Sequence, residues 1–295
     1  MLGELLLRYR NLLLVAAAVG AGVAVPALGP YLEPLVGPIV AFLVYSSFRG
    51  LTLKNVEFAP YAVVVGLSVV LSYGLIPFGG IRIASALLSD GALVGFAIVL
   101  SVPTTAGSAI IWTRFSGGDV QLSTIASIVS LFVAPIATPI VLTQLIGAQA
   151  NVPVGSILVD LLLIIGGGVL LAVVVPSSAV SPRTVNAGST VAILVLIYTS
   201  VAGAGSIASA GLVLPALVVS SLAVLGVGLL GALACERALG LDRGRTLALF
   251  FTSSLKNLGI ALLVAFTYAD PLVVVAIIVY YVVQQTTGAL LADTV

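Results

Sequence analysis

Stretch after stretch of this chain runs for about twenty residues with at most one charge, and that run length limits the folds open to it. The hydrocarbon core of a bilayer is about 30 Å thick and takes about 20 helical residues to cross. Gly, Pro and charged residues divide the sequence into ten such windows: 11–28, 35–50, 59–78, 91–113, 119–145, 154–175, 187–204, 212–235, 246–268 and 271–292. Transmembrane strands would need alternating polar and apolar residues, and these runs do not alternate. The expectation is an all-α integral membrane protein with ten transmembrane helices. Composition agrees: 61% of the 295 residues are hydrophobic and 7% charged. Ordinary soluble domains are about 25% charged, so a soluble chain this apolar could not cover its surface with polar groups.

Missing residues exclude chemistry. There is no histidine, and the single cysteine, Cys235, rules out an intrachain disulfide and any CxxC metal site. No catalytic residue, metal or cofactor is therefore expected. A net charge of +1 argues against nucleic acid as a partner. With ten spans, both termini and the even-numbered connections share one side. That side holds Arg8, Arg10, Arg49, Lys54, Arg114, Arg183, Arg237, Arg243 and Arg245, and the other side holds only Arg82. The bias puts both termini in the cytoplasm of a multi-pass cell-membrane protein.

An internal repeat is visible. "VGAGVAVP" at 19–26 and "VLLAVVVP" at 169–176 match at four of eight positions, with an offset of 150. Asp119 and Asp270, which open the fifth and tenth spans, are 151 apart. A constant offset divides the chain into five-helix halves, 1–147 and 148–295. Five is odd, so the second half enters the membrane from the opposite side, the inverted-repeat architecture of secondary transporters. The same match makes 11–28 a retained helix rather than a signal peptide.

In such repeats the sites lie near the midplane, at broken helices in corresponding positions. The fourth span reads "LSVPTTAGSAIIWTRFSGGD", where Pro103 removes a backbone donor beside Thr104, Thr105 and Ser108. The ninth reads "TSSLKNLG", with Thr252, Ser253, Lys256 and Asn257 in mid-span. The fifth adds Ser123, Ser127 and Ser130 on one helix face, followed by Pro135 and Pro139. Gln284 and Gln285 either cross-link helices or line the site. Gly166, Gly167 and Gly168 read as close helix packing, since no GKS/T follows. Asp160 either reaches the outer interface or faces a cavity.

Lys256 is the costliest of these residues. It lies about ten residues, or roughly 15 Å, from Thr246, close to the bilayer centre. A lysine there costs about 2.5–3.5 kcal/mol on insertion scales, and a side chain about 6 Å long cannot readily reach the interface. It is expected to face protein or a wet cavity. Three roles are open to it: binding an anionic group, occupying a site where a cation would otherwise sit, or shedding its proton during transport. Asp160 is a possible partner.

The pieces "SSFRGLTL", "GGDVQLSTIASIVSLFVAPIATPIVLTQLIG", "FFTSSLKNLGIALLVAF" and "QQTTGALLA" resemble, in order and spacing, the bile acid:sodium symporter family over most of the chain. The resemblance implies a panel domain (spans 1, 2, 6, 7) and a core domain (spans 3–5, 8–10), with the broken fourth and ninth helices crossing in the core. It also implies a small organic anion moved inward with sodium. The departures are specific. Where sodium-coupled members carry Glu-x-x-x-Gln-Asn in the ninth helix, this chain has Thr252, Lys256 and Asn257. Their third-helix glutamine, five residues before a proline, is Ser72 before Pro77. Their Pro-Gly-Gly-Thr-Ala-Ser-Asn is Pro103-Thr104-Thr105-Ala106-Gly107-Ser108-Ala109. An ammonium thus stands where a sodium ligand would be, and a fixed positive charge beside sodium costs Coulomb energy.

The leading expectation is a secondary transporter of small organic anions, sodium-independent or proton-linked. A sodium-coupled symporter of the same fold is the alternative. A related arsenite permease fits less well, because that family places a cysteine in the fourth helix and 91–113 has none. A membrane-embedded transferase would need paired acids or histidines, and Asp160 is the only acid deep in a span. A channel would need a filter-like segment or a ring of charges, and neither is visible.

Overall fold

The computed structural model describes residues 10–49, 58–147, 152–176, 178–203, 210–268 and 270–294. Arg8, Lys54 and the end of "SSFRGLTL" lie outside them. The chain is helical, and among the described residues its only β pairing is an isolated antiparallel bridge between Thr104 and Lys256. The helices are α1 (Arg10–Ala24), α2 (Val36–Phe48), α3 (Ala62–Val70), α4 (Ile76–Ala84), α5 (Asp90–Ser101), α6 (Ala106–Phe115), α7 (Val120–Ile146), α8 (Val154–Val174), α9 (Pro182–Gly203), α10 (Ala210–Leu239), α11 (Arg243–Ser254), α12 (Leu258–Ala265) and α13 (Pro271–Thr294).

Among the described residues, seven helical stretches are long and apolar enough to cross a bilayer: 26–48, 59–84, 120–146, 154–174, 182–203, 213–239 and 271–291. Most boundaries shift, two of them for a visible reason. The second span begins at Pro26 rather than 35, because short helical turns through Pro26–Leu35 feed directly into α2. The third runs on to Ala84: Pro77 sits in the first turn of α4, where a missing N–H is tolerated. The windows 91–113 and 246–268, read as broken helices, are the pairs α5/α6 and α11/α12.

The lipid-facing character is legible on α7. Phe132, Ile136 and Ile140 are more than half exposed along one stripe, while Ser123, Ser127 and Ser130 are buried on another face. Polar groups inside and large apolar groups outside is the arrangement that hydrocarbon solvent demands. Asp119, Asp242 and Asn257 cap the starts of α7, α11 and α12 by accepting the backbone N–H of Leu122, Arg245 and Ile260.

Two groups of helices follow from the packing. In the first, α2 lies against α8, α1 against α9, and α9 against α2. In the second, α13 lies against α5 and α10, and α11 against α10, α6, α7 and α3. They meet where α7 touches α8 and where α12 touches α2 and α9. Of the three glycines at 166–168, Gly168 makes the close approach: an added Cβ would come within 2.6 Å of Val44 and 2.8 Å of the Ala41 carbonyl. Gly166 and Gly167 face open space.

Candidate functional site

The two interruptions meet. Pro103 excludes helix at Val102, which is extended (φ −79°, ψ 160°), so α5 ends at Ser101. No proline breaks the other pair; Leu255 is extended (φ −83°, ψ 119°) and Asn257 caps the following helix. The two extended segments run antiparallel around the Thr104–Lys256 pair. Thr105 N–H donates to the Leu255 carbonyl at 3.1 Å, and Asn257 N–H to the Pro103 carbonyl at 2.9 Å. Backbone freed by breaking two helices thus partners itself, as burial among apolar helices demands.

Side chains complete this pairing. Lys256 N–H donates to Gln284 Oε1 at 2.8 Å, and Gln284 Nε2 donates back to the Lys256 carbonyl at 3.0 Å. In an unbroken helix that N–H would have gone to the Thr252 carbonyl; the Thr104 hydroxyl donates there instead. Thr104 N–H donates to Ser130 Oγ at 3.0 Å. Thr252 Oγ1 accepts from Ser68 at 2.9 Å and donates to the Ala248 carbonyl at 2.7 Å. The Tyr280 hydroxyl donates to the Ser254 carbonyl at 3.0 Å.

Lys256 is 2% exposed, and its ammonium points into protein. Nζ donates to the Ser72 carbonyl (2.7 Å), Ser72 Oγ (2.8 Å) and the Val102 carbonyl (3.4 Å), and lies 5.5 Å from the Tyr73 ring centroid. The Ser72 carbonyl is free for a local reason. Residues 71–75 form a π-turn between α3 and α4, in which Ile76 N–H bonds to Leu71 instead of Ser72. The remaining π-register donor to Ser72 would be residue 77, which is proline and has no N–H. Both intrahelical donors are removed, and the lysine takes the vacated acceptor. Asp160 is exposed on α8, and Nζ makes no bond to it.

The other expected residues divide. Ser72, Thr104, Ser130, Thr252, Lys256, Asn257 and Gln284 converge on the crossing. Thr105 contributes only its backbone there. Ser253 bonds back to the Phe250 carbonyl within its own helix at 3.2 Å. Ser108 accepts from Gln285 at 2.7 Å, and Gln285 in turn accepts from the Trp112 indole, a second link from α6 to α13. Ser127 is buried and has no hydrogen-bond partner among the described residues.

Sequence reading missed Ser68, Tyr73 and Tyr280. Each is a hydroxyl in an apolar helix, a signal that was present but shared with many uninvolved positions. The space beside Lys256, lined also by Asn257, Tyr280 and Gln284, is about 10 Å³, room for at most one water. A far larger cavity, about 410 Å³, opens elsewhere, between the Pro26–Glu33 turns, the end of α9 and the start of α13.

Among curated proteins none matches the chain. A family model does, over residues 12–295, and it describes transporters of the bile acid:sodium symporter type. With its many apolar helices and its crossed, broken pair, this multi-pass membrane protein belongs to the SBF-like CPA transporter family.

Proposed function

We propose that the protein is a secondary active transporter working by alternating access, in which Lys256 occupies the place of a coupling cation. One observation carries this reading. Nζ sits among two backbone carbonyls and a hydroxyl at a helix break, the kind of oxygen set with which broken membrane helices hold sodium. Transport would then be sodium-independent, or linked to a proton leaving and rejoining Nζ.

The same reading includes ten crossings: the seven long stretches, α1, and the pairs α5/α6 and α11/α12. It includes two inverted repeats, 1–147 and 148–295, with both termini in the cytoplasm and the cell membrane as the setting. Support for the repeat is geometric. The helices before the breaks, α5 and α11, are each 12 residues long and start at 90 and 243, a step of 153. Those after the next connections, α7 and α13, start at 120 and 271, a step of 151. The breaks pair about a local two-fold, residue 103 with 257 and 105 with 255.

The family resemblance implies a small organic anion as cargo. The ammonium adds nothing to that expectation here, because its three donors already point at protein oxygens. Uptake into proteoliposomes tests the coupling. Counterflow of cargo should proceed equally in sodium and in potassium, and a steep rise with an inward sodium gradient would support the sodium-coupled alternative instead.

A further inference from the structure

The 410 Å³ cavity has the size of a small-molecule site and a composition that structure alone does not require. Its mouth is formed by exposed Pro26, Pro30 and Glu33, and its floor by buried groups of α9, α12 and α13. On that floor Thr199 is 1% exposed and Ser200 3%, yet neither hydroxyl has a hydrogen-bond partner among the described residues, nor does the Tyr268 hydroxyl nearby. Hydroxyls in membrane helices ordinarily bond to the carbonyl one turn back. Ser189 and Thr190 of the same helix do so, to Val185 and Asn186. Thr199 and Ser200 leave that bond unmade while lining an open space.

The charges around this space have one sign. Glu33 and Asp270 line it, and among the described residues no lysine or arginine does. Each acid has a bland role: Glu33 lies in the turn that leads into α2, and Asp270 Oδ1 accepts the Leu272 N–H at the start of α13. Asp270 Oδ2 takes part in no described bond, although the carboxylate packs on Gly91 at the start of α5, in the space that a Cβ there would take. Two carboxylates with no compensating cation give a negative potential in a low-dielectric cleft, which concentrates cations and repels anions.

We infer that this cavity is a binding site for a small organic ammonium ion, its charge held between Glu33 and Asp270 and its polar groups met by Thr199, Ser200 and Tyr268. The inference deepens the transporter reading and rests on it for the idea of cargo, and it reverses the sign of charge that the family resemblance implies. The cavity borders α9 and α12, at the contact of the two helix groups, so an occupant would touch both.

The test is thermal unfolding of the purified native protein with probes of matched length and different charge: putrescine and choline as cations, 1,4-butanediol as the neutral analogue, succinate as the anion, and sodium at equal ionic strength. A ligand of the folded state raises Tm with the logarithm of its concentration. The ammonium probes should raise Tm, and the diol and succinate should not. Asp270→Asn keeps the acceptor for Leu272 and so keeps the fold. It should raise the putrescine or choline concentration needed for the same shift by about tenfold or more, the worth of a charge-assisted contact.

Thr199→Val distinguishes a ligand site from a structural one. It removes an orphaned hydroxyl without changing shape, so the ligand-free Tm should hold or rise while the ammonium-induced shift shrinks. A shift from succinate as large as from putrescine, a shift from sodium equal to that from choline, or an undiminished shift in Asp270→Asn would overturn the inference. Counterflow keeps the two readings apart. Ammonium binding without counterflow of any probe sinks the transporter reading and leaves the site, whereas succinate counterflow with no ammonium-induced shift does the reverse.

Discussion

The crossing and the cavity are both polar, both buried in apolar helices, and opposite in how they spend their hydrogen bonds. At the crossing, Lys256 donates to three oxygens, Gln284 satisfies both backbone groups of Lys256, and Thr104 covers the carbonyl that the break in α11 exposed. In the cavity, the hydroxyls of Thr199, Ser200 and Tyr268 have no partner among the described residues, and the carboxylates have no basic neighbour in the lining. The crossing is not wholly closed, since the buried Ser254 hydroxyl beside the break has no partner among the described residues, but the groups that hold Lys256 do. A buried polar group without a partner costs about 1–3 kcal/mol, so a paired cluster reads as a structural element and an unpaired one around open space as a place for something else. On the readings proposed above, the two regions have different work: the crossing holds a cation that is part of the chain, and the cavity is the place for one that is not.

Substitutions can break or sharpen this contrast. The largest effect belongs to Gln284→Ala, which orphans the N–H and the carbonyl of Lys256 together. At about 1–3 kcal/mol for each buried group, the loss is about 2–6 kcal/mol, read as a large fall in Tm or in folded yield from the membrane. A neutral result would mean that the crossing is held by something other than this clamp. Next comes Thr104→Val, which keeps shape and leaves the Thr252 carbonyl unpaired. Its expected cost is about 1–3 kcal/mol, measured the same way, and a stabilising outcome would contradict the account of the break. The smallest effect is that of Thr199→Val on the ligand-free protein, within about 0.5 kcal/mol of zero or slightly stabilising. Destabilisation as large as that of Thr104→Val would erase the contrast and make the cavity hydroxyls structural.

Much of the fold was legible because the bilayer simplifies the code. Length and charge gave the apolar stretches, and Pro103 located the first break to within a residue of Val102. The second break was legible from "TSSLKNLG" only as a concentration of polar groups, since Leu255 carries no breaker of its own. Lys256 was visible from its cost, but its acceptor was not. That required seeing that Ser72 stands five residues before Pro77 in a helix that also slips into π register. The slip is a tertiary outcome with no local signature beyond the proline. Ser253 and Ser108 show the same limit: mid-span hydroxyls look alike in sequence, and only packing decides that Ser253 bonds within its own helix while Ser108 accepts from Gln285 of α13. The cavity went unread because Asp270 drew notice as a repeat mark, while Thr199 and Ser200 sit in a helix without a break.

The most direct test of Lys256 as a built-in cation is the melting temperature of the purified native protein and of Lys256→Gln, each in sodium and in potassium at equal ionic strength. The account predicts no difference between the salts for the native protein. It predicts a sodium-specific rise for Lys256→Gln, whose vacated oxygens from Ser72 and Val102 can then receive an ion. Sodium-specific stabilisation of the native protein, lost in Lys256→Gln, would show that the lysine serves an ion site elsewhere rather than filling one.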